Sequence, residues 1–390
     1  MPDHVRMHAP RPPLACVIGE VDLVRALGLA GIRSAVVAPP GNPARWSRTV
    51  EAVLGWSDPW REPDALVERL VAFGTKQPSP PVLYYDGDWD LLLVSRHRER
   101  LGTAFRFTVA AADLVEDLVD KARFQGLAER LGLPVPAGVR LRADDAFPAT
   151  TGLSFPVVAK PLTRQHATWK PLVKAKAFPV QDPAGLRALW ERLRERGVDV
   201  LVQEAVPGPE SRIESYHVYV DADGGIAGEF TGRKLRTHPP GYGYSTALTI
   251  TRSDDVAALG REVASRLGLR GVAKLDFKRA PDGRLHLLEV NPRFNLWHHP
   301  GALAGVNLPA LVYCDLARLP RPAATLTADG IRWCSLAHDW QAARANGIGL
   351  GRWAAWAIAC EGKSGFAWDD PLPLARAALW RLGRAAQAGR

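Results

Sequence analysis

Residues 271–293 read Gly-Val-Ala-Lys-Leu-Asp-Phe-Lys-Arg-Ala, then Pro-Asp-Gly, then Arg-Leu-His-Leu-Leu-Glu-Val-Asn-Pro-Arg. A Pro-Asp-Gly turn between two runs of apolar–polar alternation leaves an antiparallel hairpin as the only economical fold for this stretch. If the turn centres on Asp282 and Gly283, Asp276 faces Glu289 and Lys274 faces Asn291, with Cβ atoms about 4.5–5.5 Å apart. Alternation then sends Ala273, Leu275, Phe277, Leu288 and Val290 to one face and Lys274, Asp276, Glu289 and Asn291 to the other. The first face is core and the second is a site. Opposed carboxylates repel, so the pair calls for a cation between them. Oxygen donors with an amide neighbour suit Mg²⁺ or Mn²⁺ better than zinc. The plainer alternative is a solvated hairpin face whose acids are neutralised by Lys274 and Lys278. Against it stands Arg293, a fixed cation beside the two acids, where a polyphosphate would complete the charge balance.

The rest of the chain is ordinary in bulk. Its 390 residues are 47% hydrophobic and 23% charged, which fits two or three packed domains and excludes disorder or collagen-like repetition. Four cysteines, Cys16, Cys314, Cys334 and Cys360, have no metal-ligand spacing and read as reduced thiols. The net charge of +9 is dispersed, which argues against nucleic acid, while Lys160–Lys176 and Arg233–Arg236 are dense enough to face a small polyanion. No apolar run approaches the roughly 18 residues of a spanning helix, so no membrane partner is expected and the expected location is cytoplasmic. Only ten of the 50 basic residues are lysines, which makes the position of each informative.

An N-terminal β-α-β opening is expected from Leu14–Gly19, Val21–Ala30 and Ser34–Ala38, followed by a helix at Asp64–Phe73 and a strand at Pro81–Tyr85. Asp86 and Gly87 would then lie at a strand's carboxyl end, where open α/β sheets place ligands. The opening has no GxGxxG, so it reads as Rossmann-like without a nicotinamide cofactor, and an oxidoreductase is disfavoured. One helical stretch is expected over Ala111–Leu131, closed by Gly132-Leu-Pro-Val-Pro136. Strands at Phe155–Lys160 and Val200–Ala205, a helix at Pro183–Arg196, an antiparallel pair turned at Asp223-Gly224 and a helix at Asp254–Leu267 follow. The organisation expected is 1–110, 111–206, 207–320 and a helical, packing tail over 321–390. Gly362-Lys363-Ser364 is rejected as a phosphate loop because the leading glycine would fall at Ala357.

Five pieces in order resemble the ATP-grasp superfamily. Asp276 followed by Glu289-Val-Asn291 and Arg293 is similar to its metal-binding strands. Val119-Asp-Lys-Ala-Arg-Phe124 resembles the segment bearing its first nucleotide lysine, and Phe155-Pro-Val-Val-Ala-Lys-Pro161 the strand bearing the second. Leu201-Val-Gln-Glu-Ala-Val-Pro-Gly208 is similar to its adenine hinge. Phe230-Thr-Gly-Arg-Lys-Leu-Arg236 with Gly241-Tyr-Gly-Tyr-Ser245 resembles the basic segment and loop of carbamoyl-phosphate-synthase-like and D-aspartate-ligase-like members. The resemblance covers most of residues 111–310.

The resemblance implies an α/β and α+β chain: an ATP-grasp fold with an N-terminal Rossmann-like (pre-ATP-grasp) domain, 111–206 forming a lid and 207–320 the catalytic part. It implies ATP and Mg²⁺ or Mn²⁺, the metal held by Asp276, Glu289 and Asn291. Lys121, Lys160, Lys176, Gln203, Glu204, Val206 and Glu210 are its expected nucleotide contacts, with Glu210 on the ribose. Arg293, Arg233 and Lys234 are its expected catalytic cations. Lys174 and Lys176 would flank a lid over Thr163–Lys170. The implied reaction joins a small-molecule carboxylate to an amine through an acyl phosphate. A bicarbonate-using carboxylase or carbamoyl-phosphate-type enzyme, or a non-catalytic ATP-binding module, are the alternatives. A homodimer is a generic expectation. His298 and His299 are expected to be core or substrate-wall residues rather than zinc ligands, since adjacent histidines point apart. Asn295, Trp297 and His298 are expected to shape the pocket.

Overall fold

A computed structural model describes residues 11–162, 168–169, 173 and 176–388. Three sheets are present. The first is parallel, in the order β3-β2-β1-β4, from β1 (Ala15–Ile18), β2 (Ser34–Val37), β3 (Val50–Leu54) and β4 (Val82–Tyr85). Every residue of β1, β2 and β4 is buried, which is why these strands read as continuous apolar runs. The helices α1 (Val21–Leu29), α2 (Pro63–Gly74), α3 (Asp88–Arg96) and α4 (Arg98–Gly102) accompany this sheet.

The single helix expected over Ala111–Leu131 is two, α5 (Ala112–Val119) and α6 (Lys121–Arg130). Asp120 breaks it: extended at φ −85°, ψ 122°, it caps α6 by accepting from the amides of Ala122 and Arg123. Lys121 thereby becomes the first residue of a helix. A small antiparallel sheet follows, ordered β5-β8-β6-β7, from β5 (Gly138–Leu141), β6 (Val157–Pro161), β7 (Phe178–Val180) and β8 (Val200–Glu204). The hinge strand β8 is thus interior rather than an edge, and the amides of Glu204 and Ala205 already donate to Ala137 and Pro156.

The large sheet has seven strands, β13-β12-β9-β10-β11-β14-β15, built from β9 (Ile213–Val220), β10 (Ile226–His238), β11 (Tyr244–Thr251), β12 (Gly271–Arg279), β13 (Leu285–Asn291), β14 (Arg332–Cys334) and β15 (Gly362–Lys363). One face packs Tyr216, Val218, Ala273, Leu275, Phe277, Leu287 and Val290 against the helix Asp254–Arg266 and against α6. The other carries Phe230, Leu248 and Ile250 under the segment 294–313 and the parallel sheet.

The tail after residue 320 does more than pack helices: β14 and β15 extend the large sheet beyond β11. Gly362-Lys363 is strand β15, with Ser364 Oγ donating to Asp22, so the fragment serves as a structural edge. No helix among the described residues is long and apolar enough to cross a membrane.

Candidate active site

The hairpin register at the acid pair is the one the alternation predicts: Lys274 faces Asn291, Leu275 faces Val290 and Asp276 faces Glu289. Beyond that point Phe277 faces Leu287, so one residue is extra and Leu288 is a β-bulge. The bulge corrects the expected core face. Leu287 is the fully buried residue, and Leu288 turns to the site side, where it lines a cleft.

Asp276 lies 1% exposed on the site face. Its Oδ2 accepts from Lys234 Nζ and Lys274 Nζ, both at 2.8 Å, and its Oδ1 accepts from Ser215 Oγ. These groups arrive from three strands: Ser215 on β9 and Lys274 beside Asp276 on β12 by register, Lys234 from β10. Burial pushes the Asp276 carboxyl up, but the two ammonium groups outweigh it and hold it below its ordinary value against the opposing pull of Glu289. The two lysines respond differently. Burial works against Lys234, yet Asp276 and then Glu289 raise it above its ordinary value. Lys274 ends below, because burial is joined by repulsion from Lys234.

The expected neutralisation by Lys274 and Lys278 is therefore half right. Lys278 instead lines the neighbouring cleft. This cleft is open to solvent, and about 480 Å³ of space, solvent included, lies within it. Its walls include Lys160, Gln203, Glu204, Val206 and Glu210, so five of the expected nucleotide contacts converge, together with Tyr242, Lys278 and Leu288. Lys160 Nζ donates to Gln203 Oε1 at 2.7 Å. Burial lowers Lys160 to about 8, with Glu289 raising it in part and Lys278 lowering it further. Glu289 thus couples the acid pair to the cleft.

Glu210 accepts from Tyr242 N at 2.5 Å and from Thr237 Oγ1, so it closes the loop 239–243 onto the cleft rather than facing it bare. Tyr242 adopts φ 63°, the left-handed region that costs a side-chain-bearing residue energy, and Gly243 comes so near Pro239 that a Cβ would meet its carbonyl oxygen at 2.1 Å. Glu204 accepts from Ser154 N at 2.7 Å, tying the segment before β6 to the hinge. Lys121 begins α6, and its amide donates to Leu162 O just past the end of β6, which brings Lys121 near the strand that bears Lys160. Lys176 places its ammonium 2.9 Å from the Tyr244 ring centroid. Lys174, and within the expected lid residues 163–167 and 170, lie outside the described residues.

The basic run on β10 is split three ways. Lys234 meets Asp276, whereas Arg233, another of the expected catalytic cations, is exposed on the other side of the strand. Register shifts between Lys234 and Thr237 turn Arg236 to the tail, where it is bidentate to Asp339 at 2.9 and 2.7 Å. Arg293 is also committed. Its Nε lies 2.5 Å from Asp88 Oδ1, its Nη1 donates to the carbonyl of Asp86 at 2.6 Å, and its Nη2 reaches Asn291 Oδ1 at 3.4 Å. The cation thus joins the large sheet to the carboxyl end of β4. Asp86 and Asp90 nearby are both raised to about 7, by burial first and then by neighbouring carboxylates.

His217 and His298 are both fully buried, and none of their ring nitrogens has a partner among the described residues. Such unmade bonds cost roughly 1–3 kcal/mol each. His217 stacks on Phe230 at 4.5 Å and lies 5.0 Å from Trp297. Burial holds His217 well below its ordinary value and takes His298 to about 3, with Arg293 adding to the latter, so both rings are neutral. His299 pairs with Asp22 at 3.1 Å on the other side of the turn. Among the described residues no three His, Cys, Asp or Glu side chains converge as a metal centre.

Sequence reasoning missed Ser215 and Gln125, while Tyr242 lies in the glycine-rich loop it singled out. Ser215 is 61 residues from Asp276, and Gln125 is 78 residues from the Gln203 amide it contacts, so no local spacing could reveal either.

Parts of this chain resemble known proteins. Residues 197–337 match a family described as ATP-grasp in the biosynthetic pathway with Ter operon. The D-aspartate ligase of Enterococcus faecium (strain Aus0004) is 24% identical over 239 residues, covering 59% of this chain and 57% of that protein. The D-alanine–D-alanine ligase of Stutzerimonas stutzeri (strain A1501) is 28% identical over 178 residues, 44% of this chain and 54% of that one. The chain therefore spans less than two thirds of the length of these relatives. Among solved structures, an L-amino acid ligase from Bacillus licheniformis superposes with a TM-score of 0.59 at 16% identity, covering 80% of this chain and 76% of that one. The ADP complex of purK, an N5-carboxyaminoimidazole ribonucleotide synthetase, gives 0.62 at 15%, covering 83% and 81%. The fold, the segment 197–337 and the ordered motifs are all similar to those of ATP-grasp proteins.

Proposed function

We propose that the chain is an ATP-dependent carboxylate–amine ligase. The observation that carries this reading is the buried array of Asp276, Lys234 and Lys274 across from Glu289, opening beside a cleft lined by Lys160, Gln203, Glu204, Val206 and Glu210. The donor set of two carboxylates and the Asn291 amide suits Mg²⁺, which commonly takes one or two carboxylates and completes its shell with phosphate oxygens and water. Asp276, Glu289 and Asn291 would hold it, an ammonium on Asp276 giving way, and it would supply charge neutralisation at the phosphates.

In the proposed reaction a substrate carboxylate oxygen attacks the γ-phosphorus of ATP and ADP leaves with the bridging oxygen. The amine, in its uncharged form, then attacks the acyl carbon, inorganic phosphate departs with the electron pair of the C–O bond, and the nitrogen gives up one proton to solvent. The protein's part is positioning and charge compensation. Lys160 and Lys121 would steady the phosphates and the hinge at Glu204–Val206 the base. Lys234 and Lys274 would balance the charge that develops as the phosphoryl group moves. Arg293, bound to Asp88, would act chiefly by fixing Asn291 against β4. A small carboxylate and a small amine are the proposed substrates, and the proposed location is cytoplasmic.

The test is ADP and phosphate release with Mg-ATP across mixtures of carboxylates and amines. Release is expected only when both are present, and Glu289→Gln is expected to lower it by about 100-fold or more while the melting temperature stays within a few degrees. Release driven by bicarbonate alone would replace the ligase reading with a carboxylase one. Equal turnover in Glu289→Gln would remove the site.

A further inference from the structure

Gln125 lies on α6, buried at 4% exposure and outside the walls of the cleft, and the proposed chemistry makes no use of it. Its hydrogen bonds nevertheless run straight into the cleft, and they run in one direction only. Its Nε2 reaches two acceptors, Glu129 Oε1 at 2.7 Å and the Pro136 carbonyl at 3.0 Å. A carbonyl cannot donate, so the amide nitrogen must stay on that side and the amide oxygen must face the other way. There it accepts from Gln203 Nε2 at 2.6 Å. The second amide is thereby oriented as well, and its oxygen meets Lys160 Nζ at 2.7 Å. An ammonium group can only donate, so both ends of the chain demand the same polarity. Reversing either amide would set like groups against each other at both of its ends. The usual ambiguity of amide orientation is absent.

The chemistry at the end of this chain is specific. A carbonyl oxygen orients an ammonium without cancelling its charge, whereas a carboxylate would orient it and neutralise it. A lysine meant to meet phosphates needs the first kind of support. Left to itself, a glutamine amide could turn its nitrogen toward Lys160 and push the cation away.

We propose that Gln125 is a positioning residue for the nucleotide cleft: by locking the Gln203 amide it holds the Lys160 ammonium, uncancelled by a carboxylate at that contact, where the phosphates of a nucleoside triphosphate would lie. This rests on reading the cleft as the ATP site.

The test uses the full chain and two variants. Gln125→Met keeps the size and removes both polar roles. Gln125→Glu keeps an oxygen that accepts from Gln203 but loses the donor to Glu129 and Pro136. Gln125→Met is expected to raise the KM for Mg-ATP about tenfold with kcat changed less than about twofold, the pattern of lost ground-state binding. It should also move the alkaline limb of the kcat/KM profile to lower pH, since the ammonium loses an oriented acceptor. Gln125→Glu is expected to keep the wild-type KM while melting at lower temperature. A merely structural residue would lower the melting temperature in both and move neither KM nor the pH limb. A folded Gln125→Met with wild-type KM and pH limb overturns the proposal, as does a tenfold KM rise in Gln125→Glu, which decides the matter if Gln125→Met does not fold. A wild-type chain that takes up no Mg-ATP in calorimetry overturns the ATP reading and this proposal together, whereas wild-type uptake with an indifferent Gln125→Met overturns this proposal alone.

Discussion

Lys160 sits at the junction of two opposing demands. In its proposed role it must be charged to hold phosphate, and burial lowers it from the usual 10.5 to about 8. Mg-ATP affinity is therefore expected to fall as pH rises through about 8, and titration calorimetry between pH 7 and 9.5 checks this; Lys160→Met should bind weakly throughout and lose the pH dependence. The stability sign is opposite. Between about 8 and 10.5 the unfolded lysine holds more protons than the folded one, so the contribution of Lys160 to stability rises with pH while binding declines. Urea melts of the unliganded protein over the same range separate the two effects. At this scale much was legible. With ten lysines in the chain, Lys160 at a strand end was conspicuous, and Lys234 stood in a visible basic run. That Gln203 supports Lys160, and Gln125 supports Gln203, was not, because the contact closes over 78 residues.

The hairpin of β12 and β13 marks how far alternation carries. It gives the Asp276–Glu289 and Lys274–Asn291 pairs correctly and fails one residue nearer the turn, where the bulge exchanges Leu287 and Leu288. The exchange has an energetic consequence. Leu287→Ala removes a side chain buried to 0% and is expected to cost about 2–5 kcal/mol, while the half-buried Leu288→Ala should cost under about 1.5 kcal/mol. Urea denaturation of the two variants checks the order, and the reverse order would mean that no bulge forms. The same lesson applies to β10. Its four-residue basic run looks uniform in sequence, but strand alternation and register shifts distribute it between solvent, Asp276 and Asp339. A bulge is set by how two strands must twist to close against their neighbours, and the composition of either strand alone carries no mark of it.

The tail joins the molecule's parts. Asp339, fully buried, accepts from Arg236, Thr246 Oγ1 at 2.9 Å and Trp353 Nε1 at 3.0 Å, so β10, β11 and two tail helices meet on one carboxylate. Asp22 of α1 accepts from Trp333 Nε1 at 2.9 Å and Ser364 Oγ at 3.0 Å, and Asp370 accepts from Ser47 Oγ and Arg48 N at 2.6 and 2.9 Å. Asp339→Ala leaves the partly buried Arg236 guanidinium without its carboxylate, only the Trp356 ring remaining beside it, and is expected to destabilise the protein by about 3 kcal/mol in denaturant melts. A loss below about 1 kcal/mol would mean that the carboxylate contributes little beyond a surface pair. By itself the sequence determined the class of fold, the order of its motifs and the facing acids, because strand periodicity and a Pro-Asp-Gly turn act over a few residues and need no distant partner. Only the tertiary structure decided which cations neutralise Asp276, that Arg293 is tied to β4, and that the tail completes the large sheet. Those outcomes rest on charges and edges meeting across long stretches of chain, where burial selects the partner and local pattern has no say.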